Sequence, residues 1–328
     1  MVRRTVAVSL VCLFTLAGVP GPARAAATRL CGHARSPGAD TRGTKPSKPS
    51  RPGTHGAGRR ASSPGLLKPD MRGAEPYTLD GREAARMLSG MRRRLRASHG
   101  AGSRTITVTV PLWIHVITDG RMGATDASLG PQVETLNAAY GGRLGGVDTG
   151  IRFVLRGVTH TDNPTWFREP LGNEAAMKQR LRKGGPETLN LYVAQLSELV
   201  LGYATYPHWY QNRPSLDGVV IDWRSLPGGA LRDFSKGYTG VHEIGHWLGL
   251  LHTFENGCAP PGDSVDDTPP EATPTQGCPA RKDTCPDTGE DPIHNFMDYA
   301  HDRCMSEFTT GQAARMREMW TAYRAPAV

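Results

Sequence analysis

Two histidines four residues apart, with a glutamate beside the first, stand in His242-Glu243-Ile244-Gly245-His246 of this 328-residue sequence. On a helix, residues i and i+4 lie one above the other on one face, so both imidazoles can reach a single ion while Glu243 projects beside them. Three residues beyond His246 comes Gly249, able to take the φ > 0 backbone that ends a helix, and the turned chain then brings round His252 as a third nitrogen. Three neutral imidazoles suit zinc and leave its fourth tetrahedral position to water, whose pKa falls from about 16 to about 7 on the metal. Glu243 is placed to take the proton of that water as it attacks a carbonyl and to deliver it to a leaving amine. The chemistry implied is hydrolysis of a peptide bond. A helix that only filled a core would gain nothing from His, Glu and His together, because burying them unpaired is costly.

Downstream lies Asn295-Phe296-Met297-Asp298-Tyr299. The extended pattern His-Glu-x-x-His-x-x-Gly-x-x-His resembles the metzincin clan of zinc peptidases, whose members place a methionine turn under the metal. That resemblance implies Met297 as the soft apolar floor and Tyr299 as a phenol that donates its proton to the developing oxyanion. Residues 238–243, 262–269 and 295–299 together resemble the pappalysin family, in particular its compact secreted microbial members. The likeness covers about residues 105–324. It implies an α/β fold, with α+β character and a mixed sheet, in a two-lobed metzincin-type zinc peptidase domain whose cleft runs horizontally above the zinc helix. A long C-terminal loop carrying the Met-turn and a terminal helix complete it.

Counting alone leaves three pairings open for Cys258, Cys278, Cys285 and Cys304. The resemblance favours Cys258 with Cys285 and Cys278 with Cys304. Asp263, Asp266, Asp267 and Thr268 gather the hard oxygen donors that calcium prefers, and the family's small members are similar in binding calcium near this loop. Asp263, Asp267 and Thr268 are the candidate ligands. The same loop and the Met-turn are expected to wall the pocket for the residue after the scissile bond, where Asp302 and Arg303 leave the charge preference open.

The elements that position these groups emerge from hydrophobic periodicity. Residues 105–117, 151–158 and 189–193 read as strands, and 201–206 as a short edge strand of the kind from which metzincins bind substrate by β-augmentation. Residues 218–221 read as a buried strand leading to the zinc helix. Residues 133–140 read as the exposed end of a helix and 173–182 as another, while a final helix starts at Thr309. The order βαβαβββα suits a mixed, twisted sheet with helices behind it. Nearly sixty residues between His252 and Thr309 show no period, and a loop of that length needs staples or a function.

The N-terminal third has a different character. Residues 1–25 read as a secretory signal: Arg3 and Arg4, an apolar centre, then Ala23-Arg24-Ala25. Residues 26–104 read as a basic pro-segment, largely low in complexity, with one amphipathic helix expected over 80–96. Residues 1–104 hold 20 Lys and Arg against 5 Asp and Glu, a net of +15, whereas 105–328 hold 19 against 26, a net of −7. The basic total of +8 therefore does not indicate a nucleic-acid partner, and attraction between the two parts favours their association. Once Cys12 leaves with the signal, Cys31 is the odd thiol, and related precursors are similar in closing the fourth zinc position with such a cysteine. Cleavage between about Arg92 and Arg104 would release it.

The expected protein is thus a secreted, extracellular zinc endopeptidase made as a latent zymogen, with domains 1–25, 26–104 and 105–328. It would act as a monomer on proteins or peptides, with its own pro-segment as partner and neither nucleic acid nor membrane involved. The alternative is an exported binding or adhesion module that retains a structural zinc. Glu243 discriminates, since a structural site closes its fourth position with a side chain and has no use for a glutamate at that offset.

Overall fold

The computed structural model describes residues 75–97, 107–197, 199–286 and 289–326. Contacts divide the chain into residues 1–61 and 62–328, and every described residue belongs to the second unit. The signal segment, Cys31 and residues 98–104 lie outside the described residues.

The sheet runs β2-β1-β3-β5-β4, built from β1 (Val108–Thr118), β2 (Ile151–Asp162), β3 (Leu189–Ala194), β4 (Gly202–Ala204) and β5 (Val219–Asp222). The first four in that order pair in parallel, and β4 adds antiparallel to β5 at the edge. Parallel neighbours require crossovers, and the helices that supply them cover the faces, which is why β3 and β5 are buried along their whole length. On one face, α2 (Asp126–Tyr140) and α5 (Tyr238–Trp247) pack Leu129, Leu136, Val241, Ile244 and Trp247 against Val110, Leu112, Ile114 and Val219. On the other, α3 (Pro164–Arg168) and α4 (Glu174–Leu181) set Phe167 and Met177 against Tyr192, Tyr203 and Val220.

Two differences from the sequence reading have local causes. Residues 133–140 are the buried end of a longer helix that starts at Asp126 and runs through Pro131. Pro131 removes one backbone hydrogen bond from the helix, and burial of Leu129, Leu136 and Tyr140 outweighs that loss. Helix α3 went unread although its start is encoded: Asn163 accepts from the N–H groups of Thr165 and Trp166, and Pro164 occupies the first helical position.

Before β1, α1 (Gly81–Ala97) buries Ala84, Met87, Leu88 and Met91 against Tyr206, Leu251, Met319 and Ala322. The helix expected over 80–96 is thus present, with Arg92, Arg93, Arg94 and Arg96 in its last turns. At the other end, α6 (Thr310–Met319) is opened by Thr309 and Gln312 in a reciprocal cap. The intervening loop has no helix or strand among its described residues. It is tied by Cys258–Cys285 and Cys278–Cys304, which close 27 and 26 residues. Each closure is worth on the order of 3–4 kcal/mol by the chain-entropy argument. The Lys282 ammonium adds a third tie, bonding Glu271, Asp291 and the Thr273 carbonyl.

Candidate metal centre

Helix α5 carries His242, Glu243 and His246, and every residue of it is buried. It ends because Gly249 takes φ +91°, so that the Gly249 and Leu250 N–H groups donate to the carbonyls of His246 and Gly245, each at 2.9 Å. That turn brings His252 back to the helix, with its Nε2 3.1 Å from His246 Nε2, the same distance that separates His246 from His242.

The remaining ring nitrogens fix the tautomers. His242 Nδ1 lies 2.7 Å from the Phe296 carbonyl, and His246 Nδ1 lies 2.8 Å from the Leu250 carbonyl and 3.1 Å from the Tyr206 hydroxyl. A carbonyl only accepts, so both Nδ1 atoms carry the proton and both Nε2 atoms turn a lone pair inward. Lone pairs converging at 3.1 Å repel unless a cation lies between them. Ligand atoms 2.0–2.1 Å from a tetrahedral ion stand about 3.3 Å apart, so the three nitrogens fit zinc.

Beneath them, Met297 packs so closely under α5 that a side chain at Gly245 would collide with its sulfur. Tyr299 places its hydroxyl 3.2 Å from His252 Nε2, and its backbone N–H donates to Asp298 Oδ1 at 2.7 Å. Burial pushes the Asp298 carboxyl above the usual range even though it also accepts from the Thr275 N–H. Phe254 stacks on the His252 ring at 4.7 Å. His242, Glu243, His246, His252, Met297 and Tyr299, far apart in part of the sequence, are thus assembled in one place.

Three features of the site gave no signal in the motif. Tyr206 steadies His246 from just beyond the edge strand, and Gly245 makes room for Met297. Above all, Glu75 reaches the histidines: its carboxylate oxygens lie 3.0 Å from His242 Nε2, 3.2 Å from His246 Nε2 and 3.4 Å from His252 Nε2. These four side chains form the one metal-competent cluster among the described residues.

Asp267 accepts from the Thr309 hydroxyl at 2.7 Å and the Gly311 N–H at 2.8 Å, so each of its oxygens also serves the start of α6. Asp263 is buried with Thr268 beside it, and burial pushes its carboxyl up to about 7. Of the later pair, Asp302 is buried while Arg303 is exposed and bonded to Asp233.

Comparison with known proteins agrees with this geometry. A family model described as Pregnancy-associated plasma protein-A, of the M43 peptidases, matches residues 191–321. An extracellular metalloprotease of Neurospora crassa is 41% identical over 246 residues, covering 70% of this chain and 81% of that one. Extracellular metalloprotease 1 of Coccidioides posadasii is 41% identical over 225 residues, covering 66% and 79%. Among solved structures, a promirolysin mutant of Tannerella forsythia superposes with TM-score 0.62 at 26% identity, covering 73% of this chain and 88% of that one. Mature mirolysin from the same organism, in complex with a cleaved peptide, gives TM-score 0.56 at 28% identity, covering 69% and 100%. The chain belongs to the M43, or pappalysin, family and is a metalloendopeptidase.

Proposed function

We propose that His242, His246 and His252 hold one zinc ion, that Glu243 is the general base and that Tyr299 stabilises the oxyanion, in an enzyme secreted as a latent precursor. The convergence of three inward lone pairs, two of them pinned by carbonyls on the far side of the ring, carries this reading. A zinc ion held there by His242, His246 and His252 would polarise the substrate carbonyl and acidify a water. Glu243 accepts the proton of the attacking water and passes it to the departing amine, and the Tyr299 phenol donates a hydrogen bond to the carbonyl oxygen as charge develops on it. The edge strand β4 would align the substrate backbone by pairing with it as a further strand.

The extracellular names of the relatives support reading residues 1–25 as a signal, and no described helix is long and apolar enough to cross a membrane. Residues 26–104 are then the pro-segment and 105–328 the mature enzyme. The buried Asp263 carboxyl and the Thr268 hydroxyl support a calcium ion as a second, structural metal.

Casein hydrolysis tests the assignment. Glu243→Gln should retain one zinc per chain by elemental analysis while losing at least about 100-fold in rate, the order expected for a missing general base. Retained activity would refute the role of Glu243, and loss of zinc in this variant would show that it acts as a ligand.

A further inference from the structure

We propose that the pocket holding the Tyr77 side chain is a substrate subsite of the mature enzyme, which takes a tyrosine lying within about three residues before the scissile bond. This rests on the reading of residues 26–104 as a pro-segment, whose departure empties the pocket. The Tyr77 ring meets Tyr203 and Trp209 edge to face, with centroids 5.5 and 5.6 Å away, and its hydroxyl donates to Glu174. Each of these partners is held by residues that stay. Glu174 is buried and pairs at 2.7 Å with the Lys178 ammonium, which also donates to the Leu216 carbonyl at 2.9 Å. Tyr203 is the middle residue of β4, and Trp209 packs edge to face on Tyr206 at 5.5 Å.

The pocket lies beside the catalytic groups. Next to Tyr203 in β4 stands Gly202, where an added Cβ would lie 2.5 Å from Glu243 Cγ, and the Tyr206 hydroxyl lies 3.1 Å from His246 Nδ1. A substrate strand antiparallel to β4 sets its amino-terminal residues along the carboxyl-terminal end of β4, the end that Trp209 and Tyr210 follow. Tyr203 packs on the sheet face opposite α5, so every second substrate side chain is turned towards it. Charge selects the occupant. Glu174 is paired with Lys178, and Asp217 with Arg324 at 3.1 Å, while Arg213 adds a further positive charge to the lining. A lysine or arginine side chain is repelled there and an acidic one meets Glu174 and Asp217, whereas a neutral ring with a hydroxyl supplies the donor that Glu174 takes from Tyr77. Phenylalanine fills the same space but leaves that carboxylate oxygen without its donor. A cavity of about 110 Å³ adjoins the Tyr77 ring, so the pocket is larger than the ring it holds.

The test uses enzyme processed from the full-length precursor, its N-terminus read by sequencing, and internally quenched peptides carrying Tyr, Phe, Ala or Arg at each of the three positions before the scissile bond. At one of these positions kcat/KM for Tyr should exceed that for Phe by at least about tenfold, the worth of a hydrogen bond to a charged group, and should exceed that for Arg as well. Trp209→Leu should lower the Tyr-to-Ala ratio by about tenfold. Glu174→Gln should bring the Tyr-to-Phe ratio close to one. Because that change leaves the buried Lys178 unpaired, Glu174→Gln combined with Lys178→Met, which removes both charges, is measured beside it and should give the same ratio. Processed enzyme with no preference for Tyr at any of the three positions, or with Arg preferred over Tyr at all of them, would overturn the proposal, as would a double variant that keeps the tenfold preference. Active enzyme that still carries residues 75–97 would refute the pro-segment reading itself and the subsite with it.

Discussion

Replacing Arg324 by methionine strands the carboxylate of Asp217 in the interior. The guanidinium is fully buried and lies 3.5 Å over the Trp247 ring. It donates to both Asp217 oxygens at 3.1 and 3.2 Å, to the Trp247 carbonyl at 2.9 Å and to the Pro186 carbonyl at 3.1 Å. Asp217 also accepts from the Trp247 indole and the Thr205 hydroxyl, but neither brings a positive charge. Breaking a buried pair by removing one partner costs about 3–5 kcal/mol, because the other charge is left uncompensated. For a domain of this size, that lowers the melting temperature by roughly 6–20 °C. Trp247 directly follows His246 and its carbonyl ends α5, so zinc should also leave to a chelator faster. Calorimetry and chelator kinetics on mature protein carrying Glu243→Gln, which cannot digest itself, give both quantities. Adding Asp217→Asn to Arg324→Met should recover part of the loss, since no charge is then stranded. A loss below about 1 kcal/mol for Arg324→Met, or a double variant that loses the sum of the two single changes, would refute the argument.

His115 gives an acid sensitivity. It is buried between the Thr159 hydroxyl at 2.8 Å and the Asn190 side-chain oxygen at 3.0 Å, and burial lowers its pKa to about 4. The native state therefore disfavours the proton that the unfolded chain accepts near 6.5. Its contribution is fully present above that value and is lost as pH falls from about 6.5 towards 4, up to about 3 kcal/mol. Melting curves of His115→Gln should be flatter across this window, and an unchanged slope would contradict the assignment. At Gly249, φ is +91° and an added Cβ would lie 2.5 Å from Met319 Cγ, so Gly249→Ala should cost about 2–4 kcal/mol and release zinc roughly tenfold faster. Wild-type stability and metal retention in that variant would show that His252 is not positioned by this turn. Millimolar calcium at about pH 8 should raise the melting temperature of the wild type but not of Asp263→Ala. Asp267→Asn should lose about 1 kcal/mol of helix capping. A wild type indifferent to calcium would remove the second ion.

The convergence of His242, His246 and His252, Glu243 beside them and the turn that returns His252 were legible in the sequence because helical periodicity and one glycine act over about ten residues, a range within which local geometry is determined by residue type. The strands were legible for the same reason, since runs such as 189–193 and 218–221 are apolar enough to be buried on both faces. Met297 and Tyr299 needed the resemblance as well, because nothing local says that a distant downstream turn lies under α5. Contacts between residues with no shared periodicity belonged to the tertiary structure alone. The hydrogen bonds between Asp267 and the first turn of α6, and the burial of Leu136 and Tyr140 that carries α2 through Pro131, are of this kind. Glu75 lies far from His242 along the chain, and as a sequence it is one carboxylate in a basic segment. Only the docking of α1 on Tyr206, Leu251 and Met319 brings it to the open side of the three imidazoles, because the sheet topology decides which distant surfaces meet.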